Sequence, residues 1–266
     1  MAIVTRKAGD LIYLAEESIA VPHAFTTRLG GVSRGIFASL NLGVNAGDCP
    51  EAVEENYDRI TRVLGTRTEA MVLSRQVHGD QVRVVGAADR QGDLFRPTPY
   101  EADGLVTGER GVPLAIFTAD CVPILLWDET GGAVGAVHAG WRSTVMNIAG
   151  KAILKLTQRL GANPRHIRAA IGPCIGLCCF ETGPEVKEAV IACLGSGAAD
   201  CIVPGENGKN RIDLKEVNRR LFLQAGLLPE HITVAEHCTM CMPETFWSHR
   251  ATGGRRGSQA AMILRI

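Results

Sequence analysis

Residues 112–137 carry three short apolar, β-branched runs, at 112–117, 122–127 and 133–137, with Gly131 and Gly132 ahead of the third. Runs of this length bounded by turn signals read as buried strands, with a hairpin at the glycine pair. This is the most apolar part of the chain, and reactive side chains interrupt it. Cys121 lies where the first two runs meet, and His138 ends the third, directly before Ala139, Gly140, Trp141 and Arg142. If the hairpin pairs, both fall at the same strand ends.

A thiol beside an imidazole has two chemical uses. One is a nucleophile pair in which the imidazole takes the thiol proton, and the other is a transition-metal site of thiolate and neutral imidazole. A buried free cysteine with a hydrogen-bonded core histidine is the alternative without function. Asp120 and Arg142 weigh against that alternative, because charges in an apolar setting need partners. His78, in the stretch SRQVHGDQV, sits between two further β-like stretches. With Cys121 and His138 it completes a His/Cys/His set, and a zinc ion with three protein ligands keeps its fourth position for water or substrate.

The remaining elements alternate without a regular βαβ repeat. Helices are expected at 50–64 behind an Asp48 cap, at 145–160 behind Ser143 or Thr144, at 184–194, and at 214–225 behind Asp213. Strands are expected at 102–107, 167–171, 232–235 and 260–266, and 86–100 reads as a surface excursion. Strands, helices and hairpin-like pairs in this order point to an α+β fold with mixed β-sheets. With no linker in sight, residues 1–266 form a single domain on this reading. Asp103 is a candidate carboxylate behind the site, and Glu181 a candidate acid within it. Arg142, beside the free N–H groups of the helix after His138, is a candidate anion ligand next to the metal. Trp247, His249, Arg250, Arg255 and Arg256 form a basic and aromatic cluster that is either a solvated tail or part of the pocket wall.

Lys plus Arg equals Asp plus Glu at 28 each, so no broad electrostatic footprint for nucleic acid or acidic membranes exists, although a local basic pocket is compatible with it. The start lacks a signal-peptide design, and the longest apolar tract is broken by Asp120 and two prolines, against a membrane span. Nine cysteines, odd in number and irregularly spaced, do not read as a disulfide framework, and the cytoplasm is the expected location. Cys174, Cys178, Cys179, Cys238 and Cys241 invite a second-metal reading. The usual two-residue spacing occurs only at 238–241, so buried free thiols are the expectation.

The segments HAFTTRLGGVSRGIFASLNLG, QVHGDQV, ADGLVT, TADCVPILL, VHAGWRST and IGPCIGLCCFETG together resemble the laccase-domain, YfiH-like family, whose members were once called polyphenol oxidases. The resemblance runs from about residue 23 to the C-terminus. It implies a layered α/β/β/α arrangement and a catalytic zinc on His78, Cys121 and His138. It further implies phosphorolysis of adenosine, inosine, guanosine and methylthioadenosine, adenosine deamination at the same site, and Arg28 as a residue that holds phosphate or nucleoside. With zinc bound, its water can attack C6 of adenosine while a nearby acid moves protons, and Asp120 is the candidate for that acid. Two departures, Ser143 where glycine is usual and ATGG at 251–254 where an Arg-Asp-Gly-like run is usual, bear on substrate preference more than on the metal. Three rivals stand beside this reading. One is a metal-free Cys–His hydrolase or amidase. Another is a copper-dependent polyphenol oxidase, disfavoured because the seven histidines include no His-x-His pair, although copper competes with zinc at such a set. The third is a non-enzymatic zinc or partner-binding module.

Overall fold

The structure, a computed structural model, describes residues 2–266. Five strands form one sheet in the order β1 (Ile3–Ala8), β2 (Leu11–Glu16), β3 (His23–Thr26), β14 (Gln259–Leu264) and β6 (Pro113–Thr118), every neighbour antiparallel. Six form a second, in the order β13 (Ile232–Val234), β9 (Ile167–Ile171), β7 (Val122–Asp128), β8 (Val134–Ala139), β5 (Gly104–Thr107) and β4 (Val82–Val84). This sheet is mixed: antiparallel through β9, β7, β8 and β5, with parallel pairs at both edges. A small third sheet joins β10 (Glu181–Thr182), β12 (Asn210–Ile212) and β11 (Ile202–Pro204).

The first two apolar runs do not pair with each other. β6 enters the first sheet and β7 the second, so the three residues between them, 119–121, cross from sheet to sheet. The second and third runs pair as the expected hairpin, where the Asp128 carboxylate accepts the N–H groups of Thr130 and Gly131.

Strands buried on both faces are apolar throughout, and the two-residue alternation of a strand sorts their side chains into layers. Leu114, Ile116, Leu125, Ala136, Ala170 and Ile263 meet between the two sheets. Ala115, Ala260 and Met262 point the other way, onto Tyr57 and Ile60 of α1 (Pro50–Val63). On the far side Ile124, Leu126, Val137, Ala169 and Ile171 pack with Ile148, Ala152 and Leu156 of α3 (Ile148–Leu160), Val190 of α4 (Pro184–Leu194) and Leu221 of α5 (Leu214–Gln224). Helix, sheet, sheet and helices follow in that order, the expected α/β/β/α layering. No helix among the described residues is long and apolar enough to cross a membrane.

Two caps differ from expectation. The chain enters a short helix, α2 (Trp141–Val145), directly after Gly140, so Ser143 and Thr144 lie inside it. α3 is a separate helix, capped by Asn147, which adopts a left-handed conformation (φ 60°) and accepts the Gly150 N–H. Apolar periodicity shows which residues face the core but passes through such a break. α1 begins after Cys49 without a side-chain cap, and Asp48 instead accepts from the Cys49 N–H and the Asn41 amide. The last helix, α6 (His249–Thr252), is capped by Ser248.

Candidate metal centre and active site

Where the chain crosses between sheets, Asp120 has a left-handed backbone (φ 88°), and His78, in the loop before β4, has another (φ 57°). Such conformations cost energy outside glycine and gather at functional sites. The register of β7 and β8 pairs Val122 with Ala139 and Pro123 with His138, which puts Cys121 and His138 at the same strand ends. His78 closes the group. Its Nε2 lies 3.8 Å from Cys121 Sγ, its ring meets that of His138 edge to face at 4.8 Å, and the three donor atoms lie within 4.8 Å of one another. Gly140 makes this approach feasible, since a Cβ there would stand 2.9 Å from His78 Cδ2 and 3.3 Å from the sulfur.

Asp103, in the turn ahead of β5 and fully buried, holds the group in place. Oδ1 accepts from His138 Nδ1 at 2.7 Å and from the His78 N–H at 3.0 Å, and Oδ2 accepts the N–H groups of Val77 at 3.1 Å and Gly79 at 2.8 Å. One carboxylate thus orients a ring on a strand and the loop carrying the other ring. Burial pushes Asp103 up, but the hydrogen bond and charge of His138 with the two N–H groups outweigh it and hold the carboxyl below its ordinary range. Burial likewise lowers His138, yet the charge of Cys121 and the hydrogen bond that His138 donates to Asp103 bring it to about 9. For the Cys121 thiol, burial acts upward and the charge and hydrogen bond of His138, then those of His78, overcome it and bring it down to about 6.

These features fit a metal ion. A thiolate and two imidazoles are a zinc donor set, and the 3.8 Å separation of sulfur and nitrogen is close to the ~3.5 Å spanned by two such ligands of one tetrahedral ion. The carboxylate behind His138 is the partner that metal-bound histidines usually have, fixing the tautomer that leaves Nε2 free.

The three residues line a cavity of about 1110 Å³. Five arginines, Arg75, Arg96, Arg250, Arg255 and Arg256, share its lining with His249, and Asp120 is the only carboxylate there among the described residues. Asp120 is held from two sides, accepting the Thr239 hydroxyl at 2.6 Å and the Arg250 N–H at 2.7 Å. Arg256 donates through Nη1 to the Gly257 carbonyl and the Ser258 hydroxyl, while its buried Nε has no partner. Burial lowers the Arg256 guanidinium, and the charges of Asp120 and Cys121 oppose this.

Arg28, Arg142 and Glu181 lie elsewhere. The Arg28 guanidinium donates to the carbonyls of Ala38 and Pro243 and stacks 4.0 Å over Trp247, so it braces the chain outside the cavity lining. Arg142 is exposed on α2, 4.3 Å over the Trp141 ring, and does not line the cavity either. Glu181 is exposed and pairs with Lys209 at 2.8 Å. Segment 86–100, expected as a surface excursion, supplies Leu94, Phe95, Arg96 and Pro97 to the cavity wall. No local signal distinguishes such a wall from a loop, because its role depends on what the fold sets opposite it.

The family model described as "Multi-copper polyphenol oxidoreductase laccase" matches residues 22–266. The chain is 39% identical over 242 residues to "Purine nucleoside phosphorylase YlmD" of Geobacillus stearothermophilus, covering 90% of this chain and 88% of that one. It is 35% identical over 253 residues to "Adenosine deaminase RL5" of an unknown prokaryotic organism, covering 94% and 96%. A crystal structure of YlmD from Geobacillus stearothermophilus matches with a TM-score of 0.92 at 36% identity over 99% of both chains. With sequence and layered fold agreeing over nearly the whole length, the chain belongs to the laccase-domain, YfiH-like family described as multi-copper polyphenol oxidoreductase laccase.

Proposed function

We propose that this protein is a purine nucleoside phosphorylase. It splits adenosine, inosine, guanosine or methylthioadenosine with phosphate into free base and sugar 1-phosphate, and it also deaminates adenosine, with zinc on His78, Cys121 and His138. One observation carries the reading: a three-donor centre lines the same cavity as five arginines and a single carboxylate. In a chain with no net formal charge, this concentration of guanidinium groups suits an anionic co-substrate, and arginine binds phosphate through paired N–H groups. The names of the relatives, a purine nucleoside phosphorylase and an adenosine deaminase, support purine nucleosides as the substrate class.

Zinc held by His78, Cys121 and His138 would supply a Lewis acid for the addition of water at the purine C6. The protein's own groups supply the rest. Asp103 keeps His138 Nδ1 protonated and Nε2 directed at the centre. Arg250, Arg255 and Arg256 orient phosphate toward the sugar C1′ and offset its charge. Asp120, aligned by Thr239 and the Arg250 N–H, takes a proton from the attacking water and returns it to the departing ammonia. Copper at the same three donors is a cofactor variant of this reading. A second reading is favoured by the lowered Cys121 thiol beside His138: a metal-free nucleophile pair acting on an acyl substrate.

The test is base release from adenosine and inosine by zinc-loaded protein, with and without phosphate, beside Cys121→Ala. Release that needs both phosphate and Cys121 is expected. Folded, zinc-loaded wild type that releases no base would reject the phosphorylase.

A further inference from the structure

A second gathering of sulfur is not used by the chemistry above. Cys178 and Cys179, in the turn after β9, and Cys238 and Cys241, in the turn after β13, place their sulfurs within 4.8 Å of one another. Cys241 Sγ lies 3.5 Å from Cys178 Sγ and 3.3 Å from Cys179 Sγ, across 63 and 62 residues of sequence. The two turns meet through a bridge between Cys174 and Cys238 and the Thr239 N–H to Cys174 carbonyl bond of 3.0 Å.

Thiols are weak hydrogen-bonding groups, and hydrophobic packing does not explain four of them converging where Cys178 and Cys241 are exposed. A backbone donor also faces one of the sulfurs. The Gly176 N–H donates to Cys238 Sγ at 3.2 Å, a bond that strengthens when sulfur is charged. Several thiolates together repel one another unless a cation lies among them. At Gly176 a Cβ would stand 3.3 Å from Cys178 Sγ and 3.3 Å from Cys238 Cβ, so a side chain there would press on the cluster.

We propose that Cys178, Cys179, Cys238 and Cys241 form a second metal site, a tetrathiolate centre for a structural zinc ion. Four sulfur ligands close the coordination shell, so this centre binds no substrate and acts as a cross-link between the turns at 177–179 and 239–241. Those turns adjoin the partners of Asp120: the Ile175 N–H donates to its carbonyl at 3.0 Å, and the Thr239 hydroxyl to its carboxylate at 2.6 Å. The ion therefore braces one wall of the cavity.

Metal content decides the matter independently of nucleoside turnover. Reduced protein is reconstituted with zinc, freed of unbound metal, and measured for zinc per chain. Wild type is expected to hold two equivalents, Cys121→Ala one, and the double variant Cys238→Ser, Cys241→Ser one. Cobalt-loaded Cys121→Ala is expected to show tetrahedral cobalt–thiolate absorption, which keeps the test decisive if the double variant does not fold. One equivalent in wild type with none in Cys121→Ala would overturn the proposal. So would a disulfide within the cluster of freshly purified protein, found by thiol titration after denaturation.

Discussion

The His78/Cys121/His138 set and the four-cysteine cluster are both built from turns at strand ends, yet they place sulfur in opposite settings. In the first, one sulfur meets two imidazoles, a buried carboxylate sets the tautomer of one ring, and the group lines an arginine-rich cavity. In the second, four sulfurs face one another and a backbone N–H backs one of them. The difference teaches that the number of donors and the groups behind them assign a metal its task. Three ligands with a carboxylate behind one of them leave a position for chemistry, whereas four thiolates close the shell.

The comparison can be strained first at Asp103. Asp103→Asn is expected to lower zinc affinity or turnover by roughly 10–100-fold, the usual effect of losing a partner behind a metal ligand. Equilibrium zinc competition measures it, and unchanged affinity would show that the carboxylate serves the fold alone. Next, Arg256→Ala is expected to raise the phosphate KM by roughly 10- to 100-fold, from the ~1.5–3 kcal/mol of a hydrogen bond to a charged group. Adenosine deamination, which uses no phosphate, should hold its rate. Equal losses in both reactions would move the phosphate site to other arginines.

Cys238→Ser sharpens the contrast from the other side. Turnover at 25 °C should stay within about threefold of wild type while the melting temperature drops, by roughly 2–4 °C per kcal/mol for a chain of this size. Wild-type stability by calorimetry would remove the structural role. The smallest effect concerns the metal-free protein, in which alkylation of Cys121 should rise through about pH 6 and level off above it. The sign follows from the lowered thiol: the reactive thiolate is already present at pH 7. Cys179, pushed up by burial and its neighbours, should react only in more alkaline solution. Site-resolved mass spectrometry separates the two, and zinc should protect Cys121.

Two arginines lie outside the cavity lining for a shared reason. Arg28 and Arg142 were expected at the anion site, Arg28 from the family resemblance and Arg142 from its place beside His138. A guanidinium, however, binds whichever acceptors the fold brings to it. For Arg28 one of these is the Pro243 carbonyl, 215 residues away. Arg96 carries no sequence signal of its own, because an arginine in a polar loop looks the same whether it meets solvent or a cavity.

What the sequence by itself determined is local in origin. The lengths of the apolar runs, the Gly131–Gly132 turn and the positions of Cys121 and His138 beside it follow from two-residue alternation and turn chemistry, which act over a few neighbours. The hairpin and the His/Cys/His set were therefore legible, the latter with the help of the family resemblance. Only the tertiary structure decided that β6 and β7 part into different sheets, that Asp103 ties His78 to His138, and that two cysteine turns some sixty residues apart converge. These depend on long-range pairing, whose free energy comes from burying whole layers against each other and is not encoded in any short stretch of chain.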